Sequence, residues 1–214
     1  MAKKRPAVVP ILKPGRKRPR DAKVIRAAVF DAARTVFRRR GVSATPAEIA
    51  SYAGVGVGTL YRHFGDKDSL LRLVVEERQA EIMERARTAV QADDPWGGLK
   101  SFLWYCATLE VEDKVMAEIL TTPHVRRIYF AEFSKELHAM LAPLIQRAQD
   151  AGQLRSGITS RHAILSVALA SKVVHFDIDD VNPNLWRELV EIAVDGLQGN
   201  GPRHSTPVPE IRVS

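Results

Sequence analysis

The sequence predicts an all-α protein, with an N-terminal three-helix unit built on a helix-turn-helix and a larger helical part after it. Three observations carry this prediction. Apolar residues recur at i, i+3, i+4 and i+7 in one segment after another, and no segment shows the period of two that a strand requires. Between Thr45 and Leu70, the stretch TPAEIASYAGVGVGTLYRHFGDKDSL sets two short helices around a glycine-containing turn. Charge is also sorted along the chain. Residues 1–20 carry +8 with no acid, residues 21–72 carry +4 and residues 73–214 carry −5, within a total of +7 over 214 residues. A basic front and an acidic back imply that only the front meets a polyanion.

Each element has its own justification. Residues 1–20 combine basic charge with Pro6, Pro10, Pro14 and Pro19, and cannot bury enough apolar surface to fold alone. They are expected to form a disordered arm that lies along phosphates or in a minor groove, or else serves as a solubilising tail. The helix-turn-helix unit is placed at residues 21–72. Its first helix has the clearest pattern in the chain, with Ile25, Ala28, Val29, Ala32, Ala33, Val36 and Phe37 on one ladder. Asp21 can cap it, and Arg38, Arg39 and Arg40 suit the negative end of the helix dipole before Gly41 stops it. Thr45 and Glu48 form a capping box, with Pro46 at the first helical position. Gly54 is the expected left-handed stop. The next helix fits Val57 to Phe64, with Leu60 and Phe64 facing inward at i and i+4. Gly65 ends it, and Asp66 can cap a long helix from Lys67 through ERQAEIMERARTAV.

The outward side of the second short helix carries the chemistry. Thr59, Tyr61, Arg62 and His63 are donors with little reason to be buried, and Lys67 sits at the next helix start, beside amides that can also meet a phosphate. Gly58 lets the backbone come close to whatever lies opposite. This inventory suits a DNA backbone and the base edges of a major groove, although a helical hairpin with a solvated polar face has the same composition.

The wording AGVGVGTLYRHFGDKDSLL also resembles the recognition segment of tetracycline-repressor (TetR) type transcriptional regulators. The lead-in T-x-x-E-I-A, the core G-T-L-Y-x-H-F and the following D-K-x-x-L-L carry the resemblance, which covers about Val24 to Val75. It implies a dimeric regulator, most simply a repressor, that binds double-stranded operator DNA and is released by a small-molecule effector. Thr45, Gly56, Thr59, Tyr61, His63 and Lys67 would then hold phosphates or position the helix. Val57, Gly58 and Arg62 would face base edges, with Arg62 the best candidate for a bidentate contact to guanine. Two positions depart from the family. Gly56 stands where it often has Ser, which removes one hydroxyl contact to phosphate. Val57 stands where a polar, base-reading residue is frequent, leaving methyl contact to thymine but no hydrogen-bond readout.

Residues 73–198 read as a helical effector-binding and dimerisation domain. Helical patterns cover about residues 95–109, 114–120 and 123–151, the last with Pro143 inside it, where a kink is expected. Thr159 can cap a helix to about Val174. The segment HFDIDDVNP is a loop, and Asn182 or Asn184 can cap a final helix through Leu197. Ala163, Ser166, Val167, Ala170, Leu185, Leu189 and Ile192 on the last two helices are candidates for close packing across a two-fold axis. Residues 199–214 are expected to be a disordered tail.

Trp104, Tyr105, Met116, Tyr129, Phe133, Met140 and Phe176 are the candidate walls of an effector pocket for an apolar or amphipathic molecule. Each is equally at home in an ordinary core. His124, His138 and His162 lack metal-ligand spacing, and His175 with Asp177, Asp179 and Asp180 makes a weak cation candidate. No G-x-x-x-x-G-K, H-E-x-x-H or G-x-S-x-G occurs, so neither cofactor nor catalysis is expected. One cysteine, Cys106, permits no internal disulfide and points to a reducing cytoplasm. No run approaches the roughly 18 apolar residues that cross a membrane. An architectural DNA-binding protein with no effector would use the same motif and the same basic arm.

Overall fold

A computed structural model describes residues 21–175, 182 and 184–199. Helices α1 (Ala22–Arg40), α2 (Pro46–Ala53), α3 (Val57–Phe64) and α4 (Lys67–Val90) come first. They are followed by α5 (Pro95–Glu112), α6 (Lys114–Thr121), α7 (Pro123–Asp150), α8 (Ser160–Ser171) and α9 (Leu185–Asp195). Short 3-10 turns cover Gly41–Ser43 and Lys172–His175. The only extended pairing among the described residues is a single antiparallel bridge between Leu154 and Gln198. The expected arm at 1–20 and the tail from residue 200 lie outside the described residues.

The described chain divides into two compact units, and the division falls at Arg78–Gln79, within α4. That helix runs without interruption through position 72, where the sequence suggested a boundary. The first unit holds α1 to α3, the start of α4 and residues 113–125 with α6; the second holds residues 79–112 and the chain from Arg126 onward.

In the first unit, α1 supplies Val29, Ala32, Ala33, Val36 and Phe37 to the core, most of the ladder read from sequence. Phe37 and Leu60 are fully enclosed, each burial contributing about 1.5–3 kcal/mol. The segment 113–125 joins this unit through two carboxylates. Asp113 accepts from the Met116 amide at 3.3 Å, capping α6, and pairs with Arg78 of α4 at 3.0 Å. Glu118 on α6 accepts the Val42 amide at 2.6 Å across 76 residues of sequence. Gly41, beside that bond, has φ 67° and ψ −154°, a backbone region that is essentially glycine-only. A Cβ there would lie within 2.4 Å of the Glu118 carboxyl.

In the second unit, α8 packs on α5 and α9. Ala163 and Val167 are fully buried within this unit, whereas Leu165, Leu169 and Ile192 are 49%, 66% and 67% exposed. Of the residues that the sequence proposed for close packing across a two-fold axis, Ala163 and Val167 are thus taken up within this unit, Ser166 and Ala170 are half-buried, and Ile192 stays exposed. Because α8 is apolar round much of its circumference, periodicity could not choose its buried face. Helix α7 continues as one element with Pro143 inside it. Thr159 caps α8 in a box whose third position is His162. The ring Nδ1 accepts the Thr159 amide at 3.1 Å, where Glu or Gln is usual. At the start of α9 the side chain of Asn182, rather than Asn184, accepts a backbone amide, that of Asn184 at 2.9 Å. Gly199, placed in the tail by sequence, donates its amide to Gln153 at 2.9 Å.

Gly41→Ala should lower unfolding stability by about 1–3 kcal/mol, seen as a lower urea midpoint at unchanged slope. An unchanged midpoint would mean that the turn can move off its left-handed geometry at no cost.

Candidate nucleic-acid interface

The interface is built on three capped ends. Thr45 and Glu48 close the predicted box around the start of α2. The Thr45 amide donates to Glu48 Oε2 at 2.8 Å, and the Glu48 amide donates to Thr45 Oγ1 at 3.2 Å. Those bonds from the Thr45 amide and hydroxyl hold the Glu48 carboxyl below its ordinary range, with Arg40 and Lys67 adding to the effect. Arg40 Nε reaches the same carboxylate at 3.4 Å. Gly54 ends α2 in the left-handed region at φ 69°. Asp66 accepts the Ser69 amide at 2.6 Å and caps α4, and that bond lowers its own pKa.

Between these ends lies α3. Leu60 and Phe64 are buried and anchor it. Val57 and Tyr61 are 38% and 45% exposed; Gly56, Gly58 and Arg62 are also exposed, and Thr59 and His63 are half-buried. The structure therefore presents Val57, Gly58, Tyr61 and Arg62 outward from one eight-residue helix. No described residue gives the Arg62 guanidinium or the Tyr61 hydroxyl a hydrogen-bond partner. Outward side chains that can donate, on a helix held rigidly from behind, are what a major groove requires.

Two of the predicted contacts already serve the fold. The Thr45 hydroxyl is taken up by the capping box. The Lys67 ammonium donates to the Val42 carbonyl, tying the start of α4 to the turn after α1, with two of its three donors left over. Sequence reasoning missed Arg26. Its guanidinium donates to the His63 carbonyl at 2.7 Å and lies 4.5 Å above the Phe64 ring, so it closes the C-terminal end of α3. On α1 this residue reads only as part of the polar face, and no spacing rule joins it to a helix 37 residues away.

The predicted pocket residues are dispersed. A cleft of about 520 Å³ in the second unit is lined by Gln79, Ala80 and Met83 of α4 and by α7 residues that include Tyr129 and Phe133. Gln79 Nε2 donates to the Tyr129 carbonyl at 2.6 Å and shapes that wall. Trp104 instead meets Trp186 edge-on at 6.3 Å, and the Arg85 guanidinium covers the Tyr105 ring at 5.3 Å. Met140 is half-buried on α7. Met116 is enclosed in the first unit, and Phe176 lies outside the described residues. Desolvation, with the Glu110 carboxylate one turn on, pushes the Cys106 thiol up to about 12, which disfavours the thiolate. Glu110 itself is buried, with Lys172 Nζ at 3.7 Å. No helix among the described residues is long and apolar enough to cross a membrane.

These features define a helix-turn-helix protein of the DNA-binding class. Comparison with known proteins narrows this. Residues 29–74 match the family described as bacterial regulatory proteins, tetR family, and residues 94–199 match the C-terminal domain described as transcriptional regulator SbtR-like. The HTH-type transcriptional regulator TtgR of Pseudomonas putida is 28% identical over 156 residues, which cover 72% of this chain and 68% of TtgR. A TetR transcription regulatory protein from Mycobacterium vanbaalenii has a solved structure that is 28% identical, with a TM-score of 0.55 over 83% of this chain and 96% of that one. SmeT, the repressor of a Stenotrophomonas maltophilia multidrug efflux pump, shares the fold with a TM-score of 0.60 at 22% identity, over 87% and 97% of the two chains. The chain belongs to the TetR family of transcriptional regulators.

The depressed Glu48 pKa gives stability a pH dependence of known sign. An acid whose folded pKa lies below its unfolded value of 4.5 stabilises the fold above 4.5 and loses that contribution as pH falls through the lower folded value. Glu48→Gln should therefore flatten part of the acid limb of stability against pH, measured as urea midpoints, with Asp66 responsible for a further part. An acid limb identical to that of the wild type would show that the carboxylate makes no such bonds.

Proposed function

We propose that this regulator is a homodimeric repressor. In this reading α2 and α3 of each protomer bind one half of a two-fold operator, and a small apolar or amphipathic effector lowers the affinity. The observation that carries it is the outward face of α3, with Val57, Tyr61 and Arg62 exposed on a helix whose opposite side is locked by Leu60 and Phe64. Arg62 and Gly58 face base edges together with Val57. Thr59, Tyr61, His63, Gly56 and the spare donors of Lys67 hold phosphates or position the helix, and Thr45 acts through its cap.

Dimerisation is supported by the apolar residues left outside on α8 and α9. Leu165, Leu169 and Ile192 are each about half exposed or more; burying them against a second copy removes that apolar area from water. A two-fold pair would read half-sites separated by about one helical turn or a multiple of it. The cleft bounded by Met83, Tyr129 and Phe133 is the effector site that this reading favours. Arg127, Glu132 and Glu136 also line it, so charged groups stand beside apolar ones, which suits an amphipathic molecule. The effector must bind the conformer with low DNA affinity more tightly than the other, or no equilibrium shifts. The protein then works where the genome is, in the cytoplasm.

Arg62→Ala should cost about 1–3 kcal/mol of operator affinity and relax specificity at one base pair per half-site, measured by unbiased selection of oligonucleotides followed by binding titrations. Equal weakening on all sequences would make Arg62 a phosphate contact instead. Broad coverage of DNA with no selected sequence would favour an architectural protein. Leu169→Asp should shift the mass in solution from dimer to monomer by light scattering and weaken operator binding, while helicity stays unchanged. A dimer that persists would place the interface elsewhere.

A further inference from the structure

We propose that Arg26 of α1 is a positioning residue for DNA recognition: it fixes the roll of α3 about its own axis, and through it the specificity for the operator, without touching DNA. The inference rests on the reading of α3 as the recognition helix and adds to it what holds that helix at its angle.

The buried residues of α3 are Leu60 and Phe64, which lie at i and i+4 on a single stripe. Apolar packing is non-directional. A helix held on one stripe can therefore rock about that line while both anchors stay covered. On a helix about 10–12 Å across, a roll of about 10° moves a side-chain end by about 1 Å. That shift takes an outward donor such as Arg62 out of the roughly 2.7–3.2 Å range of a hydrogen bond to a base edge.

A directional bond from another element removes that freedom. The last four carbonyls of a helix have no partner inside it. In α3 the Tyr61 carbonyl accepts the Gly65 amide at 2.8 Å, and the Phe64 carbonyl accepts the Asp66 amide at 3.0 Å, both from the chain just beyond. The His63 carbonyl accepts instead from Arg26 Nη1 at 2.7 Å, from 37 residues away on α1. The same guanidinium lies 4.5 Å from the centroid of the Phe64 ring. One planar group thus grips α3 at two adjacent residues, once by a bond of defined direction and once by a ring face. Its stem leaves α1 just before Val29, where the buried ladder of that helix begins, so the grip refers α3 to a fixed element. Arg26 is itself exposed, so burial does not account for it; a positive charge at the negative end of α3 does.

The test uses the full chain. Unbiased selection defines the operator, and affinities for it and for unrelated DNA are then titrated over a range of salt. Arg26→Met removes the donor and the charge. It should weaken operator binding by about tenfold, within the worth of one base contact. Binding to unrelated DNA and the slope of log K against log salt should stay unchanged, because no phosphate contact is lost. Arg26→Lys keeps a cationic donor on a shorter reach and should lose about threefold on the operator alone, so the pattern is read even if the Met variant fails to fold. Arg62→Ala should cost less in the Arg26→Met background than in the wild type, since a helix out of register has already weakened that contact. A role in folding alone would lower the active fraction for both DNAs alike. Equal weakening on both DNAs, a slope flattened by about 0.9 for each phosphate lost, additive effects of Arg26 and Arg62, or unchanged operator binding by Arg26→Met would each overturn the proposal. A selection that returns no preferred sequence would remove the recognition-helix reading itself, and this inference with it.

Discussion

Everything the first unit does depends on two buried side chains, Leu60 and Phe64. A helix of eight residues is marginal by itself, because nucleation is costly and few bonds repay it. α3 persists because Leu60 is fully enclosed and Phe64 nearly so, and because Arg26 bonds its last turn and covers the Phe64 ring. Once those positions are fixed inward, helical geometry leaves Val57, Tyr61 and Arg62 outward. Packing thus chooses which face of α3 is left outward.

The same economy runs through the surroundings of that helix. The Thr45–Glu48 box, Gly54 and Asp66 each satisfy helix ends that would otherwise face water unpaired. Carboxylates near helix starts are stabilised by amides, and for Glu48 and Asp66 this lowers the pKa. Polar groups that look available in sequence are therefore partly engaged. Thr45 and Lys67 show this most clearly, since one closes a cap and the other holds the Val42 carbonyl. Glu118 makes the complementary bond to the Val42 amide, so one residue of the turn after α1 is held at both its donor and its acceptor.

The second unit is organised differently. Its apolar faces are abundant, and several of its aromatic residues are occupied with one another or under a cation, as Trp104 with Trp186 and Tyr105 beneath Arg85. Of the sequence candidates among the described residues, only Tyr129 and Phe133 line the cleft, together with Met83 and Gln79. An aromatic residue on a buried helix face has the same local signature whether it fills a core or walls a cavity. The difference is the absence of a neighbour on one side, which no linear pattern encodes.

By itself the sequence determined the helices of the first unit, their caps and their turns, because those are local effects. A Thr three residues before a Glu, a Gly at a left-handed stop and apolar residues at i and i+4 act over a few residues. It also determined the outward chemistry of α3, since two inward positions on a short helix leave the others outside. The tertiary structure alone decided where α6 belongs, through Asp113 with Arg78 and Glu118 with Val42. It alone assigned Arg26 to the end of α3 and left Leu165 and Leu169 exposed while Ala163 and Val167 are buried. Those choices depend on partners distant in sequence, or on which side of a uniformly apolar helix meets a neighbour. Neither is written in the spacing of residues along one segment.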